Sequence, residues 1–260
     1  YKPNYILNIA AETHVDNSIK FPLKFTTHNI LNYAKFLETI RNYNNFLKKN
    51  KKLLKIIHVS TDEVYGSLKN SKKSFLENNK FYPNSPYSAS KASSDLISRA
   101  WNKTFNLPII VTNCANNYGK YQNEEKLIPK VILNIMKNKT IPIYAKGKNV
   151  REWIHVYDHV DAILHLINKG KIGQTYNIGS GKCLTNISLV EKICDIMDEK
   201  LKKRNQTSKK LIRYVKDRKA HDFKYQVNFN KLKKLKWKPK IEFNVGLDKT
   251  INWYIKKYYE

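Results

Sequence analysis

The segment Tyr87-Ser-Ala-Ser-Lys91, read with Ser60-Thr-Asp-Glu-Val-Tyr-Gly66 upstream of it, decides the architecture. A tyrosine and a lysine four residues apart share one face of a helix, one turn from each other. An ammonium held beside a phenol favours the phenolate by opposite charge. That yields a base able to take a proton from an alcohol. Pro86 suits a helix start, and the small residues Ser88, Ala89 and Ser90 allow a ligand to approach. In a chain with 17 Tyr and 49 Lys plus Arg such a pair arises by chance, so its surroundings must carry the reading. Ile56-Ile-His-Val-Ser60 reads as a buried strand ending in Ser-Thr, and the Tyr/Lys helix follows after a loop.

Outward from that core the pattern repeats. Tyr5-Ile-Leu-Asn-Ile-Ala10 is a short apolar run, read as a buried parallel strand. It runs into Ala10-Ala-Glu-Thr-His14, where small residues at a strand end suit a cofactor, or an ordinary exit into a loop. Residues 29–49 read as a helix with Ile30, Tyr33, Ala34, Leu37, Ile40 and Arg41 on one side. A strand at 54–60, a loop at 66–86, a helix at 87–105 and a strand at 108–114 follow. This alternation predicts an α/β fold with a doubly wound parallel sheet. Further on, helices are expected at 125–138, 157–169, 188–201 and 243–258, the last packing through Val245, Leu247, Ile251 and Tyr254. Strands are expected at 141–144, 175–179 and 211–215. Residues 1–120 form the sheet domain in this reading. Residues 121–260 form mainly a smaller α/β domain, with about 152–179 returning to the sheet.

Composition narrows the classes. A chain of 260 residues, 41% hydrophobic, can bury a sizeable core. No apolar run is long enough to span a bilayer, and Tyr1-Lys-Pro-Asn4 lacks the pattern of a signal peptide. The chain does not open on Met, so it reads as processed or incomplete. Cys114, Cys183 and Cys194 have no metal-ligand spacing, which predicts reduced thiols, no metal and a cytoplasmic setting. The net charge of +28 is unusual, with basic runs at 48–52, 202–204 and 231–236. No zinc finger, RNA-recognition or helix-turn-helix signature accompanies it, so no nucleic-acid or membrane partner is expected. A basic surface attracts anionic small molecules all the same.

The layout of strand-end Ser/Thr followed by Tyr-x-x-x-Lys resembles the short-chain dehydrogenase/reductase superfamily. A longer ordered series is similar to its extended branch, the dTDP-glucose 4,6-dehydratase family. It comprises Ala10-Ala-Glu-Thr-His-Val-Asp16, Ser60–Gly66, Ser85–Asp95, Thr112-Asn-Cys-Ala-Asn-Asn-Tyr-Gly119, Glu125-Lys-Leu-Ile-Pro129, Pro142-Ile-Tyr144, Arg151-Glu-Trp153, Thr175–Gly179 and Asp217-Arg-Lys-Ala-His221. These run in family order over nearly the whole chain. The family's opening Gly-x-x-Gly-x-x-Gly turn, which holds a cofactor pyrophosphate, is not in this sequence. The resemblance therefore implies a Rossmann-like sheet whose first strands are missing. Lys219-Ala220 stands where the family has Pro-Gly, and His28 where it tends to Thr.

The resemblance implies an NAD-dependent lyase acting on a nucleotide hexose. Tyr87, with Lys91 and Thr61, would deprotonate the sugar 4-hydroxyl. Glu63 would take the hydrogen on C5 and Asp62 would protonate the departing 6-hydroxyl. Elimination needs one protonated and one ionised carboxyl, and two carboxyls in a desolvated site split their pKa values in that way. Taken alone, Thr61 and Asp62 serve equally well as a turn cap. By the same resemblance Ile9, Ala10, Ala11, Glu12, Thr13, Ser60, Tyr87, Lys91 and Asn117 would line the NAD. Thr13, Thr61, Asn116, Lys126, Leu127, Pro142, Ile143, Tyr144, Arg151, Asn186, Asp217, Arg218 and His221 would hold the nucleotide sugar. Trp153, Trp237 and Trp253 are expected in the core. A homodimer through helices near 29–49 and 88–105 is implied. Two alternatives are a dehydratase for another nucleotide sugar and an inactive remnant serving as a basic binding module.

Overall fold

The computed structural model describes residues 2–50, 53–69, 73–202 and 208–259. Residues 51, 52, 203 and 204 of the basic runs lie outside them. In chain order the elements are β1 (Tyr5–Asn8), α1 (Val15–Lys20), α2 (Pro22–Thr26), α3 (Tyr33–Lys49), β2 (Lys55–Thr61), α4 (Pro86–Phe105), β3 (Ile109–Cys114) and β4 (Asn116–Tyr118). They continue with α5 (Leu127–Met136), β5 (Ile141–Tyr144), β6 (Val150–His155), α6 (Val156–Lys169), β7 (Thr175–Ile178) and β8 (Cys183–Thr185). The chain closes with α7 (Asn186–Lys200), β9 (Ile212–Val215), α8 (Asn230–Lys234) and α9 (Phe243–Tyr259). A π-helical turn, Thr27–Asn32, leads into α3, and a 3₁₀ turn, Asp62–Tyr65, follows β2.

Strands β1, β2, β3 and β7 form an all-parallel sheet in the order β1-β2-β3-β7. Successive residues on a strand face opposite sides, and the sheet uses this to build two cores. Ile56, Ile109 and Val111 pack with Leu37, Ile40 and Leu47 of α3. Ile57, Ile110 and Tyr176 pack on the other side with Ile163 and Leu166 of α6 and Leu232 of α8. That two-faced cover is the doubly wound arrangement. A third core joins α5, α7 and α9 to β5 and β6 through Ile128, Ile132, Ile143, Ile193, Met197, Leu247 and Tyr254. Two small sheets, β4-β6-β8 and β5-β9, accompany it.

Several sequence expectations need correction. β1 is not buried: Tyr5, Leu7 and Ile9 are 58%, 43% and 62% exposed, because β2 is its only partner among the described residues. The helix expected from residue 29 begins at Tyr33, preceded by α1, α2 and the π turn. The π turn has a visible use. It aims Asn29 so that its amide accepts from Glu12 N (2.9 Å) and donates to Glu12 O (3.0 Å) and Ser90 Oγ (2.9 Å). One buried side chain thus ties the loop after β1 to α4. The helices at α5 and α7 begin at Leu127 and Asn186, and the latter start is set by Thr185, whose Oγ1 accepts from Ser188 N. Val245 is half exposed and takes no part in the α9 packing. Trp153 and Trp237 are buried as expected. Among the described residues no helix is long and apolar enough to cross a membrane, and all three cysteines are free.

Candidate active site

Helix α4 begins at a capping box. Ser85 Oγ accepts from Ser88 N (3.1 Å) while Ser88 Oγ accepts from Ser85 N (3.0 Å), and Pro86 occupies the first helical position. Such a cap contributes about 1 kcal/mol and fixes the first turn, where Tyr87 sits. Tyr87 is buried with its ring edge-on to Phe25, and its hydroxyl faces the Thr61 side chain. Lys91 follows one turn later, buried, and donates to the carbonyl of Val59 at 3.0 Å. The anticipated lowering of the Tyr87 phenol by Lys91 is not what this geometry produces. Burial, then the charges of Glu63, Cys114 and Asp62, push it well up. Burial also lowers Lys91, with Asp95 the main opposing charge.

Strand β2 ends in Thr61, whose Oγ1 accepts from Glu63 N at 3.3 Å and caps the 3₁₀ turn carrying Asp62 and Glu63. Capping and a place in the site are therefore both true of Thr61. Asp62 is 1% exposed and its Oδ2 has no partner. Burial first, then Glu63 and Glu152, raise it well above the usual carboxyl range. Glu63 is also raised by burial, but Arg151 and Arg218 oppose the rise. The two neighbours thus sit in unlike fields, with Asp62 the more strongly biased toward its protonated form.

The counter-charges come from distant segments. Arg151 on β6 is buried and donates to the carbonyls of Val150 (2.9 Å), Phe223 (3.3 Å) and Asp222 (3.0 Å), with its guanidinium 4.3 Å from the centre of the Tyr225 ring. Arg218 lies 3.5 Å from Asp16, and its Nε is buried without a partner. Lys126 donates to Thr13 O at 3.2 Å, which brings the end of the β1 loop to the start of α5. Tyr225 was not anticipated. Its hydroxyl donates to Asp222 Oδ2 at 2.5 Å and stands 3.4 Å from Glu63 Oε2. No spacing in the sequence signals Tyr225 or Asp222, since they reach Glu63 only through the fold. Glu152, fully buried beside Arg151, was also passed over. It accepts from the backbone N–H groups of Ser180, Gly181 and Val227 at 2.8, 2.6 and 2.9 Å.

The remaining candidates fall into two groups. Ile9 to Thr13 leave the C-terminal end of β1, and Ser60 ends β2 with a buried Oγ lacking a partner. Asn117 on β4 donates to Ala115 O and accepts from His159 at 2.9 Å. The carboxylate of Glu12 is held by Lys24 at 2.8 Å. In the second group, Pro142, Ile143 and Tyr144 form β5, and Tyr144 meets His221 edge-on at 6.1 Å. His221 pairs with Asp217 at 2.6 Å. Asn116 Nδ2 and Asn186 Oδ1 are buried without partners, and Leu127 opens α5. Buried polar atoms are normally satisfied. Here Ser60, Asp62, Asn116, Asn186 and Arg218, five predicted ligand-facing residues, all carry one that is not.

The family described as GDP-mannose 4,6 dehydratase matches residues 1–250. The dTDP-glucose 4,6-dehydratase of Shigella flexneri is 44% identical over 265 residues, covering 98% of this chain and 73% of its own. That of Haemophilus influenzae is 42% identical over 260 residues, with 98% and 77% covered. Among solved structures, dTDP-glucose 4,6-dehydratase of Streptomyces venezuelae with NAD bound superposes with a TM-score of 0.87 at 38% identity, covering 97% of this chain and 73% of that one. The Bacillus anthracis enzyme in complex with NAD gives 0.81 at 42% identity, with 98% and 74% covered. UDP-glucose 4-epimerase of Thermotoga maritima gives 0.85 at 25% identity, with 99% and 79% covered. With relatives of this identity and coverage, and with the Thr61-Asp62-Glu63 turn set beside the Tyr87/Lys91 helix, the chain belongs to the dTDP-glucose 4,6-dehydratase family.

Proposed function

We propose that the chain dehydrates dTDP-glucose to the 4-keto-6-deoxy sugar, with NAD as the redox cofactor. The observation that supports this most is the adjacent pair Asp62 and Glu63, both desolvated but held in unlike fields. A plain oxidoreductase or epimerase has no use for such a pair. Elimination of water needs an acid and a base together.

The residues at the strand ends fit NAD. Ser60 Oγ is an unpaired buried hydroxyl, Ala10 and Ala11 are small and accessible, and Asn117 is fixed by His159. Ile9 to Thr13, Ser60, Tyr87, Lys91 and Asn117 would hold it. When bound, NAD supplies an acceptor for the hydride on sugar C4 and a donor of that hydride to C6. Tyr87 would accept the proton of the 4-hydroxyl as its phenolate, the form that the Thr61 hydroxyl beside its oxygen favours and burial opposes. The ketone so formed acidifies the hydrogen on C5, which Glu63 would remove. Asp62, pushed toward its neutral form, would hand its proton to the 6-oxygen as water leaves. Arg151, Arg218 and Lys126 surround the carboxyl pair with positive charge. Arg218, Lys126 and Asn186 would anchor the diphosphate, and Pro142 to Tyr144 with Asp217 and His221 would border the base. The net charge of +28 would draw a dianionic substrate toward this face.

We further propose a cytoplasmic homodimer. Phe36 and Phe46 on α3 and Leu96 on α4 are 38%, 47% and 57% exposed, an apolar surface suited to helix–helix pairing. A monomer by light scattering at micromolar concentration would defeat that reading. The catalytic proposal is tested by offering dTDP-glucose, UDP-glucose and GDP-mannose in turn with NAD+ and detecting the keto sugar. Turnover of dTDP-glucose alone supports it. Turnover of another nucleotide sugar alone moves the assignment to that base.

A further inference from the structure

Beneath the Tyr87–Lys91 pair lies a second buried set that the reaction as drawn does not use. Tyr87, Lys91 and Asp95 recur every four residues, so they form one stripe on α4. Asp95 is 4% exposed. Its Oδ2 accepts from Asn113 Nδ2 at 2.8 Å, and its Oδ1 lies 3.3 Å from His58 Nε2 on β2. The ring state of His58 follows from its other nitrogen. Nδ1 is 3.0 Å from the amide nitrogen of Asn8, which can only donate, so Nδ1 accepts and the proton is on Nε2, facing Asp95. His58 is 1% exposed, stacked on Tyr33 at 4.4 Å, and burial holds its protonated form down to about 4. It is therefore a neutral ring, and it brings no cation to Asp95. Among the described residues, the groups beside the Asp95 carboxyl, Asn113 and His58, are both neutral.

Among the described residues, the cation coupled to Asp95 is Lys91, one helical turn away. Lys91 in turn has its ammonium bonded to a carbonyl and is 4% exposed. The groups facing this couple are few. On α4 there is Tyr87, on β2 His58 and on β3 Cys114. Tyr33 of α3 and Tyr65 of the 3₁₀ turn face the Asp95 side. The tyrosines, the cysteine and His58 are neutral near pH 7, burial having moved each against its charged form. Asn113 links Asp95 onward, since the same Nδ2 lies 3.2 Å from Thr61 O and Oδ1 accepts from Tyr65.

We propose that Asp95 is a positioning residue for the oxidation step, a fixed counter-charge beneath the Tyr87–Lys91 pair that keeps Lys91 an ammonium in the dry interior. Asn113 orients its carboxylate by donating to Oδ2, and the neutral His58 ring lies beside Oδ1. Through Asn113 the same carboxylate is coupled to the strand end that carries Thr61. The inference rests on reading Tyr87 and Lys91 as the proton-transfer pair. Its test does not depend on turnover, so the two can fail separately.

The test is the titration of Lys91, followed by ¹³C NMR of protein labelled at lysine Cε and assigned by the signal lost in Lys91→Met. Asp95→Asn is expected to lower the Lys91 titration by roughly one to two pH units, the effect of removing an opposite charge about one turn away in a poorly hydrated site. The alkaline limb of the turnover profile of the NAD-loaded protein moves to lower pH by the same amount. If Asp95→Asn does not fold, the same Lys91 titration is read in Asp95→Ser. An unchanged Lys91 titration in whichever folded variant lacks the carboxylate overturns the proposal.

Discussion

His159 supplies a prediction whose size follows from the structure. It lies on α6, 8% exposed, and donates from Nδ1 to Asn117 Oδ1 at 2.9 Å. Its Nε2 is buried with no partner. Burial is the sole cause acting on it, and it pushes the imidazole down from 6.5 to about 4. Between those values the unfolded chain binds a proton that the folded chain refuses. Stability is therefore lost as pH falls from above 6.5 toward 4. From pH 7 to pH 5 the linkage amounts to about 2 kcal/mol from this one side chain. His159→Gln keeps a neutral donor for Asn117 and removes the titration. Asp62, Glu63 and Glu152 are raised by burial and act in the opposite sense, gaining stability as they protonate. They are common to both proteins and cancel in the difference. The assay is urea unfolding at pH 7 and pH 5 on each protein. The parent should lose about 2 kcal/mol more than the variant over that interval. Equal losses would mean that His159 takes up its proton as readily folded as unfolded, and the buried, unsolvated ring would be the wrong picture.

Three further outcomes are expected. Glu63→Gln should lower turnover by about 10²- to 10⁴-fold, the usual worth of a positioned base, while oxidation at C4 persists and solvent deuterium no longer enters C5. Normal deuterium entry, read by mass spectrometry, would remove Glu63 from that role. The same substitution should hold or raise the thermal midpoint, because a carboxyl raised by burial destabilises the fold at neutral pH. Tyr87→Phe should reduce turnover by a similar factor and leave the unfolding midpoint within about 1 kcal/mol, since the ring contact with Phe25 survives; near-parental turnover would refute its function as base. Ala220 adopts φ 51° in the loop that carries Arg218 and His221. Ala220→Gly should stabilise the protein by about 0.5–1 kcal/mol in urea unfolding, and a loss of stability would show that the left-handed turn is not strained.

The sheet and the Tyr/Lys helix were legible because their signals are local. Ile56-Ile57 and Ile109-Ile110 are consecutive apolar residues, as a strand buried on both faces requires. Ser85, Pro86 and Ser88 mark a helix start by themselves. β4, β6 and β8 were missed for the opposite reason. They are short or polar, and β6 owes its state to partners far along the chain, Leu184 of β8 and Asn116 of β4 included. The edge position of β1 could not be read from Tyr5–Ala10, because an apolar run looks alike whether one neighbour covers it or two. The charge state of Tyr87 was misjudged on similar grounds. Spacing places Lys91 one turn away, but only the fold shows its ammonium turned to the Val59 carbonyl.

The two halves of the proposed chemistry hang from different parts of the molecule. Tyr87, Lys91, Asp95 and Asn113 belong to α4 and β3, built into the parallel sheet and its helical cover. Glu63 stands at the end of β2, but its surroundings are supplied by β6 and by the segment 217–225, which carries Arg218, Asp222 and Tyr225. Thr61 is where the two meet. Its carbonyl receives Asn113 from the sheet side, its hydroxyl faces Tyr87, and its Oγ1 caps the turn that aims Asp62 and Glu63. The burial that raises both carboxyls is a standing cost to stability near neutral pH. The three apolar cores offset it, and none of the five residues Thr61, Asp62, Glu63, Tyr87 and Lys91 contributes a side chain to them. A fold arranged in this way can hold an acid and a base in neighbouring positions because the groups that set them apart arrive from distant segments of the chain. The strength of the elimination pair can then be altered from the 217–225 segment without disturbing the helix that carries the oxidation.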